Sequence, residues 1–226
     1  MNHRILPLER NPTLGDQAYD TLRSALMTGT FQPGEVLSIR PLATKLGISA
    51  TPARDAISRL VWEQGFEMLP NRTLKVPKLT LARLQEIYNV RINVEGLATS
   101  LATERFDKEA LKSLEEVQRR HAAAVDRKDY PRALVANETF HFAIYERAEN
   151  ETLFGIIQAL WLKLGPSLNL LYPSYQKDRK GIRHHTRILA ALRDRDPVKA
   201  RAELEADLRD GLQELEGAIR RTRVED

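Results

Sequence analysis

Two hydrophobic patterns divide the chain. Up to about residue 79 the apolar positions come in short bursts separated by turn residues. From Thr80 onward they recur at three- and four-residue spacing over long stretches. In the first part, Asp16 to Met27 predicts a helix with Ala18, Leu22, Ala25 and Leu26 on one side, ended by turn residues from Gly29 to Gly34. Ser38 to Gly65 then predicts two short helices. Leu42, Ala43 and Leu46 form the stripe of the first, and Gly47 stops it. Ser49 and Thr51 are candidate N-caps of the second, Pro52 suits its first turn, and Ala56, Ile57, Leu60 and Val61 point inward. Phe66–Leu69 and Leu74–Pro77 are strand-like runs around a Pro70–Thr73 turn, which predicts a β-wing. The pattern is that of a winged helix-turn-helix, although a helical hairpin packed only into its own core has the same periodicity.

The second part carries no strand signal. Six helices are expected: Thr80–Thr103, Asp107–Lys128, Tyr130–Ala148, Glu151 to about Leu171, Tyr175–Arg195, and Pro197 to about Arg220. Thr80 and Asp107 are the expected caps of the first two, and Gly165-Pro166 should kink or break the fourth. Short connections make this an antiparallel bundle. The fold class is therefore mainly α, with a winged helix-turn-helix over residues 1–78 and a six-helix domain over 79–226. Residues 1 to 14, with Pro7 and Pro12, read as an arm preceding the first domain.

Composition narrows the function classes. The chain has 226 residues, 42% hydrophobic and 29% charged, the balance of a water-soluble protein with a substantial core. No apolar run approaches the ~20 residues that span a bilayer, and the N-terminus lacks the apolar segment of a signal peptide. With no cysteine there is no disulfide framework, so a cytoplasmic protein is expected. The net charge of +4 is too small to identify a partner. Locally the imbalance is greater: Ser38 to Leu60 holds Arg40, Lys45, Arg54 and Arg59 against Asp55 alone.

The N-terminal residues resemble the GntR family of bacterial transcription regulators. Leu22 to Gly29, Pro33-Gly34-Glu35, Leu42-Ala43, Leu46 to Ser49, and Thr51-Pro52 with Arg54 and Ala56 carry the resemblance across most of residues 17 to 77. It implies that the second helix of the pair enters the DNA major groove, where an arginine can pair bidentately with guanine. The family's DNA-contacting residues fall on Arg40 and Arg54. A third family arginine is replaced by Ala50, and the wing glycine by Asn71 with Arg72 beside it. The DNA-facing set is thus Arg40, Ser49, Thr51, Arg54, Asn71 and Arg72. The second half is similar to the all-helical ligand-sensing (FCD) domain of the FadR-type branch. Arg91 with Glu95, Phe140-His141, Asn150, Leu153, and His185 with Ile188-Leu189 carry that likeness.

Within the six helices a polar set stands among apolar neighbours. Asn137 and His141 are four apart on one helix face, His185 precedes Ile188, Leu189 and Leu192, and Asp207 lies between Leu204 and Leu208. Buried groups of this kind pair or ligate. In the resembling domain the metal set is an aspartate four before a histidine and two later histidines. It falls here on Asn137, His141, His185 and Asp207, with an amide and a carboxylate at two of the four positions. Such donors suit Zn²⁺, Ni²⁺ or Mn²⁺, and a hydrogen-bonded polar cavity without metal is the alternative. The resemblance makes Arg91 a ligand for an effector carboxylate, while an Arg91–Glu95 pair on a helix face has equally suitable spacing; Tyr145, one turn beyond His141, is placed either to add a hydroxyl to the same cavity or simply to pack. His184 should point about 100° away from His185. His121 and His3 read as surface residues.

These features predict a homodimeric, operator-binding transcription regulator, with repression relieved by a small organic acid sensed in the helical domain. A metal-responsive regulator and an architectural DNA-binding protein are the non-enzymatic alternatives. A helical metal hydrolase is disfavoured, because the chain shows no nucleophile motif or phosphate-binding loop.

Overall fold

A computed structural model describes residues 12–172 and 179–222. His3 and most of the expected arm, residues 1–11, lie outside the described residues. Helix α1 (Leu14–Met27) starts two residues earlier than periodicity indicates, because Thr13 and Asp16 form a capping box: Asp16 N donates to Thr13 Oγ1 at 3.1 Å and Thr13 N to Asp16 Oδ2 at 3.0 Å. A two-residue strand β1 (Val36–Leu37) follows, too short to leave an alternating pattern in the sequence. Then come α2 (Ile39–Lys45) and α3 (Ala50–Trp62). Gly47, at φ +68°, makes the left-handed turn between them. Ser49 is the N-cap of α3, although its hydroxyl makes no capping bond, and Thr51 lies inside the helix rather than capping it.

The wing is β2 (Glu67–Met68) and β3 (Leu74–Lys75), and the antiparallel sheet runs β1-β3-β2. Val36 opposes Lys75 from one side and Glu67 opposes it from the other. β1 thereby ties the wing to the start of α2.

The expected six helices follow: α4 (Leu81–Ala102), α5 (Lys108–Asp126), α6 (Tyr130–Glu146), α7 (Glu151–Leu164), α8 (Lys180–Arg193) and α9 (Pro197–Thr222). Side chains of Thr80, Asp107, Asp129 and Asn150 cap α4, α5, α6 and α7 respectively. The helix expected to run from Glu151 to Leu171 changes at Gly165-Pro166 into a 3₁₀ segment, Gly165–Leu171, as the missing proline N–H requires. The expected start of α8 at Tyr175 falls in residues 173–178, outside the described residues. α4 is the central helix, packed against α9, α7 and α6, while α5 pairs with α6 and α8 with α9.

One apolar cluster runs from Leu22 and Leu26 of α1 through Trp161 and Leu162 of α7 to Leu204 and Leu215 of α9. The joint between the winged part and the bundle is tightest at Gly165. A Cβ there would collide with the Leu26 carbonyl and lie 2.6 Å from Met27 Cα. Beside it, Asn169 Nδ2 donates to the carbonyls of Gly29 at 2.7 Å and Phe31 at 3.1 Å. Gly165→Ala should therefore destabilise the protein by about 1–3 kcal/mol, because backbone rather than a mobile side chain has to yield. Urea unfolding measures this, and an unchanged midpoint would show that the joint is loose.

Candidate functional site

Two polar sites stand out, one on the winged part and one inside the bundle. Arg40 near the start of α2, Arg54 in the first turns of α3, and Asn71, Arg72 and Thr73 at the wing tip line one open groove of about 790 Å³, with Ser38, Ile39 and Pro41. Four of the six residues read as DNA-facing are thus brought together. Ser49 and Thr51 are exposed at the N-terminus of α3. No acidic residue lines the groove, and Arg40, Arg54 and Arg72 have no ion-pair partner among the described residues. Arg59, counted in the same basic cluster, is committed elsewhere: it bonds Asp16 at 2.8 Å and lies 3.8 Å over the Tyr19 ring. Asn71 accepts from Thr73 N at 3.1 Å and Thr73 Oγ1 at 2.6 Å, which pins the wing turn. The left-handed conformation then falls on Arg72, at φ +61°, so this turn is closed without the family's glycine and its strained residue carries a charge.

The bundle site is fully enclosed by side chains. Arg91 is 2% exposed and Glu95 0%. Arg91 Nε donates to Glu95 Oε1 at 2.5 Å and Nη2 to Oε2 at 3.1 Å, while the guanidinium lies 4.8 Å from both the Tyr88 and Trp161 rings. Burial works against the charge on Arg91, but Glu95 more than offsets it and the guanidinium stays protonated. The Arg91–Glu95 pair weighed from spacing alone is therefore formed, buried rather than on the surface. Tyr145 is recruited to the same carboxylate, its hydroxyl donating to Glu95 Oε2 at 2.5 Å. Burial, then the Glu95 charge, keeps that phenol protonated.

The chain of donors continues to the histidines. Because the Tyr145 hydrogen goes to Glu95, its oxygen accepts from His141 Nδ1 at 3.1 Å. On the other side, Gln118 Nε2 donates to the Ile182 carbonyl at 3.2 Å, so its Oε1 accepts from His185 Nδ1 at 2.7 Å. Both imidazoles are thus protonated at Nδ1 and carry a lone pair on Nε2. Those two atoms face each other at 3.3 Å, with Asp207 Oδ2 at 3.4 Å from His141 Nε2 and 3.9 Å from His185 Nε2. Three acceptor atoms thus converge in a buried site, an arrangement that a cation among them would stabilise. Donors about 2.1 Å from one ion at tetrahedral angles are about 3.4 Å apart, so the residues present fit a divalent metal. Burial, reinforced by neighbouring His141, holds His185 well below the ordinary imidazole range, in its metal-binding neutral form. Asn137 stands one turn before His141 and is half-buried.

His184 faces away from the cluster as expected, its Nε2 3.2 Å from Asp210 Oδ2. His121 is not on the surface: it is 3% exposed, with its ring 5.0 Å from that of His185 and its Nδ1 without a partner. Burial pushes it down to about 4. The α5 stripe of Leu114, Val117, Ala124 and Val125 places His121 and Gln118 on the buried face, so periodicity contained both. Glu95→Ala should cost about 3–5 kcal/mol, because it strands a buried guanidinium. A loss below about 1 kcal/mol in urea unfolding would mean that water or a neighbour solvates Arg91 instead.

Comparisons with known proteins follow the same division. The FCD domain family matches residues 86–210, and the gntR family of bacterial regulatory proteins matches residues 14–76. The chain is 32% identical over 182 residues to the HTH-type transcriptional regulator McbR of Escherichia coli K12, covering 80% of this chain and 82% of that protein. It is 22% identical over 217 residues to the HTH-type transcriptional repressor RspR of the same organism, covering 95% and 93%. Among solved structures, E. coli McbR/YncC superposes with a TM-score of 0.85 at 30% identity, over 91% of this chain and 98% of that one.

Proposed function

Because the chain belongs to the GntR family of bacterial regulators and carries an FCD domain, we propose that it is a homodimeric repressor released from its operator by a small organic acid. That it is a DNA-binding transcription regulator, not an enzyme, is the premise; operator symmetry, effector and metal are our reading. The observation carrying it is the groove in which Arg40, Arg54 and Arg72 converge without an acidic partner. Arg54 reads a base edge from α3, Ser49 and Thr51 meet the backbone at the same helix end, and Arg40, Asn71 and Arg72 flank them. A two-fold protein then reads a two-fold site. We assign residues 1–78 to this reader and 79–226 to sensing and dimerisation. Among the described residues no helix is long and apolar enough to cross a membrane, in keeping with work in the cytoplasm.

In the sensor, His141, His185 and Asp207, with Asn137 one turn away, would hold a divalent ion such as Zn²⁺, Ni²⁺ or Mn²⁺. Bound there, the ion supplies a Lewis-acid seat for one carboxylate of the effector. The chain's own residues supply the rest. Arg91 and Tyr145 are the further anion-binding groups, and both are engaged by Glu95, so an entering acid competes with an internal carboxylate. Displacing Glu95 alters how α4 seats against α6, and α4 leads straight back to the wing. Effector and operator then favour different arrangements, and each weakens the other.

The satisfied Arg91 also favours a second reading, in which the ion is itself the signal. Operator affinity measured against free divalent metal, with and without a library of organic acids, separates the two. Affinity that tracks metal alone supports the second reading, and affinity that changes only on adding an acid supports the first.

Arg54→Ala should weaken specific operator binding by about 1–3 kcal/mol with the fold intact. Arg72→Ala should lower the salt slope of binding by about 1 without changing sequence preference. Retained specificity in the Arg54 variant would place the reading contact elsewhere. His141→Ala combined with His185→Ala should abolish bound metal in elemental analysis, and an unchanged metal content would mean that the ion sits at another site.

A further inference from the structure

On the outside of the bundle, α5 and α6 bound a groove of about 540 Å³ that neither the chamber nor the DNA-facing surface uses. Its floor is apolar, with Val117 and Ala124 from α5 and Val135 and Ala136 from α6. Val135 is 48% exposed there, with no larger side chain laid over it. The volume falls within the ~300–1,000 Å³ usual for a small-molecule site.

The rim is cationic. Arg120 and Arg127 on α5 and Arg132 on α6 stand round the floor, and all three are exposed. Arg120 and Arg127 are seven residues apart, so they lie on one side of α5 about 10 Å from each other. Neither has an ion-pair partner among the described residues. Arginines close by on the same surface are matched: Arg119 takes Glu116, and Arg193 takes Glu115 at 2.6 Å. The one acidic residue of the lining, Asp129, is already committed. It caps α6 by accepting from Arg132 N at 3.3 Å, and its other oxygen lies 3.4 Å from Arg132 Nη1. The groove therefore sets surplus positive charge above an apolar floor.

We propose that this groove binds a small amphipathic organic anion, its apolar body on the floor and its anionic group held between Arg127 and Arg132. Those two residues flank the short α5–α6 corner, where Arg127 ends one helix and Asp129 caps the next. Guanidinium forks match the oxygens of a carboxylate or sulfonate. Arg120 stands two turns away, where its aliphatic stem can cover the ligand's body. A neutral apolar ligand would leave the guanidinium groups unused, and a bare inorganic anion would leave the floor wet; only a molecule with both parts satisfies both. The site is separate from the chamber and does not depend on the metal or effector reading. By helical phase, α6 turns Arg132, Val135, Ala136 and Thr139 to the side away from His141, while α5 turns Gln118 and His121 inward. A ligand wedged here thus bears on the two helices that carry Gln118 and His141.

The test is fluorescence titration of the full chain with two dyes. Anilinonaphthalene sulfonate is an apolar body with one fixed negative charge, and phenylnaphthylamine is the same body without it. The sulfonate should bind one saturable site at least about tenfold more tightly than the neutral dye, because the arginines add charge-assisted bonds. Arg127→Gln with Arg132→Gln should reduce the sulfonate to the affinity of the neutral dye. Thermal unfolding should report an intact fold, both side chains being exposed. Val135→Asp should weaken both dyes at least about tenfold, since it sets a carboxylate in the floor. His141→Ala with His185→Ala should leave both affinities unchanged. No saturable binding, equal affinity for the two dyes, or sulfonate binding that survives the arginine replacement would overturn the proposal. Binding lost in the histidine variant but kept in Val135→Asp would also overturn it, by putting the dye in the chamber.

Discussion

A guanidinium sealed in a helical bundle has to be matched, and the matching of Arg91 organises the sensor. Glu95, one turn along α4, accepts from both its Nε and Nη2, and the Tyr88 and Trp161 rings each lie 4.8 Å from the guanidinium. A buried pair of this kind adds little net stability, since two desolvations offset the attraction. What it does is set directions. Glu95 has a lone pair left for the Tyr145 hydroxyl, and that fixes which way the Tyr145 hydrogen points. The tyrosine oxygen can then only accept, so His141 presents Nδ1–H to it and Nε2 to the opposite side. Four residues on two helices thus determine one lone pair on one imidazole. The same logic runs independently from the Ile182 carbonyl through Gln118 to His185.

Such a network informs the rest of the molecule only because the bundle and the winged part are continuous. The apolar cluster does not stop at the domain boundary expected near residue 78. Gly165 lets the end of α7 lie directly on the backbone of Leu26 and Met27, and Asn169 bonds the turn that follows α1. Trp161, whose ring borders both Arg91 and His141, is one turn before Gly165 on the same helix. A change in the sensor therefore has a short, stiff route to α1, and α1 packs on the recognition helix α3. Interiors packed at crystal density transmit such shifts instead of absorbing them.

How much of this could be read from the residues depended on the kind of constraint. Helix faces, caps and the break at Gly165-Pro166 are local properties, and Thr80, Asp107 and the six-helix order were legible for that reason. β1 was not, because two residues leave no alternation and its pairing partner is some forty residues away. The cluster of His141, His185 and Asp207 was legible as polar positions inside apolar stripes. The partners that orient those groups were not: Gln118 carries no ligand signature of its own, and His121, expected at the surface, is buried because its spacing from Leu114 and Val117 sets it on the inward face of α5. Spacing suggested both an exposed Arg91–Glu95 pair and a free Arg91. The third possibility, a buried pair, required knowing that α9, α7 and α6 enclose α4 on that side.

The two polar sites share one physical signature with opposite sign. In the bundle, Arg91, Tyr145 and the Nδ1 hydrogens of His141 and His185 are matched by acceptors, and the acceptor atoms of His141, His185 and Asp207 come together. In the groove, the acceptors are missing: Arg40, Arg54 and Arg72 gather where no carboxylate reaches, while Arg59, a few residues away on α3, is neutralised by Asp16 and stacked on Tyr19. Folding alone would favour matching the groove arginines as Arg59 is matched, and holding Arg72 left-handed adds strain rather than relieving it. Charges left unmatched by their own protein, and held at a cost in backbone strain, are matched by something else. On the proposed function, the groove arginines are matched by the phosphates and base edges of an operator, and the chamber's convergent acceptors would be matched by a cation.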